Sequence, residues 1–330
     1  MYNVHNKWLI NKPEEINSTI IFQKFSHFLG IENSFIKYEG LNIAGSIKLK
    51  TAKYLIIGLE EKYNISPDKN TIIESSSGNL GIALSIVCRS KKYKFICVTD
   101  PNTLPIAEKY MQIYGAKIIK VTERDQAGGF LTKRIELIHS LLENDSSLVW
   151  TNQYASEYNI LAHYNTTAKE IFESFPKLDY LFIGTGTTGT LVGCARFFKK
   201  YSPKTKIIAV DNKGSVTFGF PSSPRYIPGL GTSRKPEISS TDNVHQIILV
   251  PEEETIVMCN FLLREYGLFL GGSSGTVLYA AKQYINSLDN KDVSLVVISP
   301  DFGEKYLDTV YCPKWVEEKF GTIIRKRAFI

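Results

Sequence analysis

The chain of 330 residues is long enough for a large core and two domains, and its 43% hydrophobic and 22% charged residues are typical of a globular protein. Its formal net charge of +6 comes from scattered lysines and arginines, which disfavours nucleic acid as a partner. No apolar run approaches the length of a membrane helix, and no basic segment followed by an apolar run begins the chain. We therefore expect a cytoplasmic protein without a membrane partner.

The five cysteines and five histidines are dispersed along the chain. No pair of cysteines has a C-x-x-C spacing, and most of them stand inside apolar runs. This pattern predicts buried free thiols and no metal site.

The predicted elements begin with a strand at 35–39, a loop at 42–47 and a helix from Lys48 to Tyr63. From residue 71 onward, strands alternate with helices. The predicted strands are 71–73, 94–99, 117–121, 180–183, 207–210, 247–250 and 294–298, and the predicted helices are 82–87, 105–114, 130–142, 160–175, 190–200, 252–266 and 276–288. A glycine- and proline-rich span at 213–236 predicts an irregular loop beside an active site.

This alternation predicts an α/β fold with twisted parallel sheets flanked by helices. Ligands of such folds bind at the carboxyl ends of the strands. Polar loops near residues 75–80, 184–190 and 271–275 each follow a strand, and we expect them to converge on one cleft.

The first polar loop, Glu74–Gly81, leads from a strand into a helix and carries three hydroxyls, a glycine and an amide. A helix N-terminus has unpaired N–H groups and partial positive charge, so this loop predicts an anion site. The alternative is an ordinary N-cap, because serine and asparagine are common there.

The second polar loop, Gly184–Gly189, fits G-x-G-x-x-G, and Asp211 ends the next strand. Both features are typical of an NAD-dependent Rossmann dehydrogenase. Against that alternative, threonine hydroxyls in the loop suit a phosphate monoester held on several oxygens. The dehydrogenase hypothesis also leaves Lys48 and the first loop without a role.

Four motifs together resemble the fold-type II pyridoxal-phosphate enzymes of the cysteine synthase and cystathionine β-synthase family. In family order they are Gly45-Ser46-Ile47-Lys48, Ser76-Ser77-Gly78-Asn79-Leu80, Gly186-Thr187-Thr188-Gly189-Thr190 and Gly271-Gly272-Ser273-Ser274-Gly275. The resemblance implies pyridoxal 5'-phosphate as cofactor and a homodimer. It also implies a smaller mobile domain at residues 40–150 and a larger one formed by 1–39 with 151–330.

The resemblance assigns a role to each motif. Lys48 would form the Schiff base, for which its amine must be deprotonated. Ser76, Ser77, Gly78 and Asn79 would hold the substrate carboxylate, and Asn79 would also reach the phenolic oxygen of the cofactor. The cofactor phosphate would be bound by Gly186, Thr187, Thr188, Gly189 and Thr190. Ser273 would face the ring nitrogen as a neutral partner, where many other enzymes of this cofactor have an aspartate.

A narrower resemblance is to the N-(2-amino-2-carboxyethyl)-L-glutamate synthases, a subfamily of siderophore and 2,3-diaminopropionate pathways. It rests on four segments, Asn152–Ala155, Lys213–Val216, Pro228–Arg234 and Pro300–Gly303. It implies a β-replacement through an aminoacrylate, with O-phospho-L-serine as donor and the L-glutamate amine as nucleophile. Arg134 and Tyr154 would then lie at the substrate side of the cleft, and Arg234 would add a further polar group.

Alternatives remain at this stage. Arg134 can instead be a surface arginine in an exposed ion pair. The activity can be that of a cysteine synthase using sulfide, with O-acetylserine or O-phosphoserine as donor, and a catalytically inactive homologue is a third possibility. Leu49-Lys50 follows Lys48 where the family usually has Asp-Arg, and Asn42-Ile43 stands in place of Asn-Pro.

Overall fold

The computed structural model describes residues 12–16, 19–124 and 129–330, so parts of the predicted 1–39 segment lie outside the described residues. Two sheets organise the chain. The larger has six strands in the order β1-β2-β10-β7-β8-β9, and the smaller has four in the order β5-β4-β3-β6. All neighbours pair in parallel except β1 and β2, which are antiparallel.

Strands of the larger sheet come from both ends of the chain. They are β1 (Phe22–Lys24), β2 (Asn33–Tyr38), β7 (Tyr180–Gly184), β8 (Lys206–Asn212), β9 (Val244–Val250) and β10 (Ser294–Ser299). The smaller sheet is formed by β3 (Thr71–Ser75), β4 (Lys94–Thr99), β5 (Lys117–Lys120) and β6 (Leu148–Trp150). The inner positions of β10, residues 295–298, are all apolar because helices cover both faces of a parallel sheet.

The helices that connect the strands pack on these faces. They are α1 (Ser26–Leu29), α2 (Lys48–Tyr63), α3 (Asn79–Ser90), α4 (Pro105–Ile113), α5 (Leu131–Asn144), α6 (Glu157–His163), α7 (Lys169–Ser174), α8 (Gly189–Tyr201), α9 (Glu252–Tyr266), α10 (Gly272–Asn286) and α11 (Pro313–Phe329). Short 3₁₀ turns occupy Pro13–Glu15 and Gly303–Tyr306, and a π-helical turn occupies Tyr164–Ala168. None of the described helices combines the length and the apolar character that crossing a membrane requires.

The predicted α/β fold class is confirmed, as are most of the predicted elements. Several predictions were wrong or incomplete. The predicted helix at 160–175 is interrupted by the π-helical turn, and β1, β6, α1 and α11 were not predicted. The polar residues 271–275 follow α9 and not a strand, and 272–275 form the first turn of α10 instead of a loop. The last error has a physical cause. A Cβ at Gly275 would lie 2.3 Å from Cys259 Sγ, so this glycine permits close helix packing and does not mark a flexible loop.

The buried core consists of separate apolar clusters around the two sheets. One surrounds the smaller sheet and includes Leu55, Ile72 and Val87. Two others cover the faces of the larger sheet, around Phe182 on one face and Leu181 on the other. All five cysteines are free, and every one except Cys312 is buried.

Candidate functional site

A cleft of about 170 Å³ contains residues from both sheets and their connecting loops. A smaller cavity of about 40 Å³ shares Lys48, Gly186 and Thr187 with it. Every predicted site residue except Arg234 lines one of these spaces. The cleft is lined by Lys48, Ser76, Ser77, Gly78, Asn79, Arg134, Tyr154, Gly186, Thr187 and Ser273, and the smaller cavity also by Thr188, Gly189 and Thr190. The three polar loops therefore meet in one place.

Lys48 is the first residue of α2 and is held there by the preceding loop. The Ile47 amide donates to Pro300 O at 2.8 Å, and the Asn42 side-chain amide donates to Ser46 O at 2.9 Å. Burial lowers the pKa of Lys48 to about 8, against an opposing effect of the Glu74 carboxylate. Because of this shift, a substantial fraction of Lys48 carries the neutral amine near neutral pH.

Glu74, the carboxylate behind Lys48, is fully buried at the end of β3. It accepts hydrogen bonds from Ser75 N at 2.7 Å, Gln153 N at 3.0 Å and Trp150 Nε1 at 3.1 Å, and also from the Thr151 hydroxyl. Burial raises the pKa of Glu74, and these bonds oppose the shift. The sequence placed this residue at the start of the first polar loop but did not predict its burial.

The first polar loop turns from β3 into α3, as predicted. Ser76 Oγ accepts from Gly81 N at 2.9 Å and from Gly78 N at 3.3 Å, so Ser76 also fills the role of an ordinary cap. A Cβ at Gly78 would meet no atom within 4 Å, so the backbone here faces open space. The loop presents backbone N–H groups and the Ser77 hydroxyl to the cleft.

The loop between β7 and α8 contains an unusual backbone conformation. Thr188 has φ +68° and ψ −2°, a left-handed geometry that is rare for a β-branched residue. Its hydroxyl is buried and has no hydrogen-bond partner among the described residues. A strained residue with an unpaired buried donor indicates that the loop is shaped for a ligand.

Replacing Thr188 separates strain from ligand binding. Thr188→Gly and Thr188→Ala both remove the hydroxyl, and each is expected to weaken binding of a phosphate in this loop by about 10- to 100-fold. Only glycine relieves the left-handed strain, so the ligand-free glycine variant should be more stable than the alanine variant by about 1 kcal/mol. Urea unfolding and ligand titration measure the two effects. Equal stability of the variants would contradict the assignment of strain.

Arg134 on α5 is buried, with only 6% of its surface exposed, so the alternative of an exposed surface arginine is wrong. Its Nη1 lies 3.3 Å from Asp100 Oδ2, yet neither Nε nor Nη1 has a hydrogen-bond partner in the described part of the chain. Tyr154 lines the same cleft, and burial raises the pKa of its phenol. Arg234 does not line the cleft; it is exposed and pairs with Glu237.

Asp301, which the sequence offered only as part of a motif, connects the predicted motifs. This fully buried carboxylate accepts from Asn79 Nδ2 at 2.8 Å, Tyr306 Oη at 2.7 Å and Ser273 Oγ at 3.3 Å. Its backbone forms an antiparallel bridge with Ser46. The neutral Ser273 therefore has a carboxylate one hydrogen bond away, a contact that the sequence did not predict.

Further cleft residues were not named individually from the sequence, although the irregular loop and the Asn152–Ala155 segment, which contain five of them, were singled out. They are Gln153, Lys305 and Tyr306, together with Pro228, Gly229, Gly231 and Thr232 from the irregular loop. Lys305 Nζ donates to Gly45 O at 3.2 Å. No local pattern marks a lysine or a tyrosine that reaches a cleft from a turn near the C-terminus.

The residues present fit pyridoxal phosphate. The site offers a lysine with a lowered pKa, a loop with an unpaired buried hydroxyl for a phosphate, and open space beside Gly78. Two twisted parallel sheets flanked by helices, with these groups between them, define a fold-type II enzyme of that cofactor. The chain belongs to the family of pyridoxal-phosphate dependent enzymes, whose sequence profile matches residues 15–300.

Solved structures give the same fold. The chain is 28% identical to an O-acetylserine dependent cystathionine beta-synthase from Helicobacter pylori, with a TM-score of 0.84 and coverage of 91% of this chain and 98% of that one. It is 29% identical to a hydrogen sulfide-producing enzyme from Fusobacterium nucleatum, with a TM-score of 0.83 and coverage of 91% and 100%. An O-ureido-L-serine synthase is 25% identical, with a TM-score of 0.84 and coverage of 94% and 96%.

The protein is thus a pyridoxal-phosphate dependent β-replacement enzyme of the cysteine synthase type, acting on small amino acid substrates. The alternative of an NAD-dependent dehydrogenase is wrong. Asp211, which that alternative placed on a ribose, is buried, with only 1% of its surface exposed.

Proposed function

We propose that this enzyme joins an activated L-serine, O-phospho-L-serine, to the amine of L-glutamate and produces N-(2-amino-2-carboxyethyl)-L-glutamate for 2,3-diaminopropionate and siderophore biosynthesis. In this reaction the Cβ–O bond of the donor breaks, and phosphate leaves with its electron pair. A Cβ–N bond forms, and the glutamate amine loses a proton.

Bound pyridoxal phosphate supplies electron withdrawal from the substrate Cα, which permits the β-substituent to leave. On this proposal, Lys48 holds the cofactor and moves the Cα proton, for which its lowered pKa is suited. The N–H groups and hydroxyls of residues 76–79 bind the donor carboxylate. Thr187, Thr188 and Thr190, with the backbone of Gly186 and Gly189, bind the cofactor phosphate, and Ser273 faces the ring nitrogen.

The observation that carries the choice of acceptor is the Arg134 side chain. Among the described residues, Nε and Nη1 of this buried guanidinium have no hydrogen-bond partner, and Nη1 has only its ion pair with Asp100 Oδ2 at 3.3 Å. Such a group is costly in a cleft unless a ligand adds hydrogen bonds. Sulfide offers no carboxylate, whereas glutamate brings two, and an arginine can bind a carboxylate through two parallel bonds. The relatives with solved structures include enzymes that make cystathionine, produce hydrogen sulfide or make O-ureido-L-serine, so the shared fold does not select the acceptor.

One observation favours a cysteine synthase as the second candidate. Asp100 lies 3.3 Å from Arg134 and offsets part of its charge without a ligand. If that ion pair is sufficient, the cleft has no free cation for a second amino acid, and a small acceptor such as sulfide suits it better.

The two candidates are separated by supplying the loaded enzyme with O-phospho-L-serine and one acceptor at a time. We expect L-glutamate at millimolar concentration to give continuous phosphate release and a product with the mass of the glutamate adduct. Sulfide should give little cysteine. Efficient turnover with sulfide and none with glutamate would identify a cysteine synthase and exclude the proposal.

Arginine variants then test whether Arg134 binds the acceptor. Arg134→Ala is expected to raise the KM for glutamate by about 10- to 100-fold, because a hydrogen-bonded charge pair is lost, while phosphate release from the donor alone changes little. Arg234→Ala serves as the matched control, since Arg234 is exposed and lies outside the cleft. An equal loss of both half-reactions in Arg134→Ala would assign Arg134 to the donor or to the fold.

The proposal includes an arrangement of domains and an assembly. Residues 40–150 would move as a smaller domain against 1–39 with 151–330 and close the cleft over the donor. The enzyme would act as a cytoplasmic homodimer. In support, the four-stranded sheet lies wholly within residues 71–150.

A further inference from the structure

Two buried side chains that line neither cavity contact the proposed phosphate loop from behind. Asn159 and His163 stand one helical turn apart on α6, and both are completely buried. A Cβ at Gly189 would lie 2.2 Å from Asn159 Oδ1, so the loop packs directly against this amide. Neither residue was singled out by the sequence.

The orientation of the Asn159 amide is fixed by its partners. Nδ2 donates to Gln153 O at 2.8 Å and to Thr187 Oγ1 at 2.9 Å. Because a carbonyl oxygen can only accept, Nδ2 must face it. The second N–H is then directed at Thr187, whose hydroxyl oxygen accepts that bond. The Thr187 proton is consequently free to be donated into the cleft.

His163 contacts the Thr190 hydroxyl as Asn159 contacts that of Thr187. Its Nε2 lies 3.2 Å from Thr190 Oγ1 and 3.0 Å from Thr51 Oγ1, and its Nδ1 lies 3.1 Å from Thr167 Oγ1. Burial holds the pKa of His163 well below its usual value, so the ring is neutral and carries one proton. Whether that proton is on Nε2 or Nδ1 decides whether Thr190 accepts or donates.

The neighbours of His163 select the tautomer. Lys50 Nζ donates to Thr167 Oγ1 at 3.4 Å, and an ammonium group has no acceptor. Within the described ranges, His163 Nδ1 is the acceptor available to the Thr167 proton. The Thr51 hydroxyl in turn donates to Asn159 Oδ1 at 3.4 Å and so presents a lone pair to His163. Both neighbours therefore place the ring proton on Nε2, where the Thr51 and Thr190 hydroxyl oxygens, at 3.0 and 3.2 Å, share it as acceptors.

We propose that Asn159 and His163 are positioning residues that make the hydroxyls of Thr187 and Thr190 donors to the cofactor phosphate. The inference rests on the proposed function, which places that phosphate in this loop. Each hydroxyl oxygen is already occupied by a protein donor, so each hydroxyl proton is directed at an acceptor in the loop. A phosphate group has only acceptor oxygens at the pH at which it is doubly charged, and it matches this arrangement. A neutral or donor-bearing ligand does not.

The test compares apo-protein binding of pyridoxal 5'-phosphate with binding of pyridoxal, which lacks the phosphate. The amide of His163→Gln can place an N–H near the former Nε2, whereas that of His163→Asn reaches only the former Nδ1. We expect His163→Asn to lose about 10- to 100-fold in affinity for the phosphate form and His163→Gln to lose much less. Pyridoxal affinity should stay unchanged in both. Equal losses for the two ligands would overturn the proposal, because they indicate a structural role.

Controls keep the inference separate from the proposed function. Thr187→Val and Thr190→Val should each lower the affinity ratio of the two ligands. If neither does, the phosphate binds elsewhere and the proposed loop assignment fails. If both valine variants lower the affinity ratio but His163→Asn does not, the loop assignment stands and only the positioning role of His163 is refuted. Thr51→Val removes the other hydroxyl that contacts His163 Nε2. The ratio of its affinities for pyridoxal 5'-phosphate and pyridoxal should remain that of the wild type.

Two further measurements test the role of His163 independently. The double variant His163→Asn/Thr190→Val should lose no more phosphate-specific affinity than Thr190→Val alone, since the histidine acts through that hydroxyl. Additive losses would contradict this route. Nitrogen-15 NMR of the wild-type protein, which needs no variant to fold, should show His163 protonated on Nε2. Protonation on Nδ1 would overturn the proposal.

Discussion

Lys48→Ala is expected to fold and to lose turnover by about 10²- to 10⁴-fold or more, together with covalent attachment of the cofactor. The reason is that Lys48 lines both the cleft and the adjoining cavity. Borohydride reduction of the loaded wild type followed by peptide mapping should label Lys48. Lys305 provides the matched control, because it is the other cleft lysine and donates to Gly45 O at 3.2 Å. A label on Lys305 would refute the assignment.

The pKa of Lys48 also determines how the rate of covalent cofactor attachment depends on pH. A neutral amine is the reactive form, and burial lowers the pKa of Lys48 to about 8. The rate of covalent capture by the apo-protein should therefore rise about tenfold per pH unit below 8 and level off above it. An ordinary lysine would continue to gain reactivity up to about pH 10. Stopped-flow absorbance at a series of pH values distinguishes the two profiles.

Glu39→Gln is expected to lower the free energy of unfolding by about 3–5 kcal/mol, since it leaves two buried lysines to share the single carboxylate of Glu170. Glu39 and Lys37 are completely buried, and Lys50 is nearly so. Glu39 lies 2.9 Å from each lysine, and Glu170 lies 2.7 Å from each, which closes a ring of alternating charge. Lys50, which stands where the family usually has arginine, is one of the two cations of this ring. Urea unfolding of the apo-protein gives the value.

An exposed pair provides the control for this prediction. Glu157→Gln removes the partner of Arg196 on the surface, and such a change costs about 0–1 kcal/mol.

Burial alone would raise the pKa of Glu39, but Lys50 and Lys37 outweigh it and hold the pKa below its usual value. A lowered carboxylate pKa stabilises the fold above the unfolded-state pKa, and the stabilisation disappears as pH falls through the folded-state pKa. The difference between wild type and Glu39→Gln should therefore shrink in acid. A difference that is constant with pH would contradict the ring's role.

The sequence was informative where local chemistry decides structure. The strands at 94–99 and 294–298 contain the continuous apolar runs 95–98 and 295–298, and α2 was predicted with its observed bounds because its apolar spacing is helical. The errors have tertiary causes. Residues 272–275 contain glycines that resemble a loop, but close packing against Cys259 and Ile227 requires glycine there within a helix. The π-helical turn after His163 likewise has no local signal that periodicity detects.

The sequence by itself determined the alternation of strands and helices, the placement of three of the four polar motifs after strands, and the lysine that the motifs surround. These features depend on periodicity, turn residues and caps within a few positions of each other. Only the tertiary structure decided that Arg134 is buried beside Asp100, that Asp301 joins Asn79 to Ser273, and that Asn159 and His163 contact Thr187 and Thr190. Asn79 and Asp301 are 222 positions apart, so their contact is set by strand order and by how the two sheets meet. The physical reason is that burial and pairing of a polar side chain depend on its neighbours in space, which no local pattern specifies.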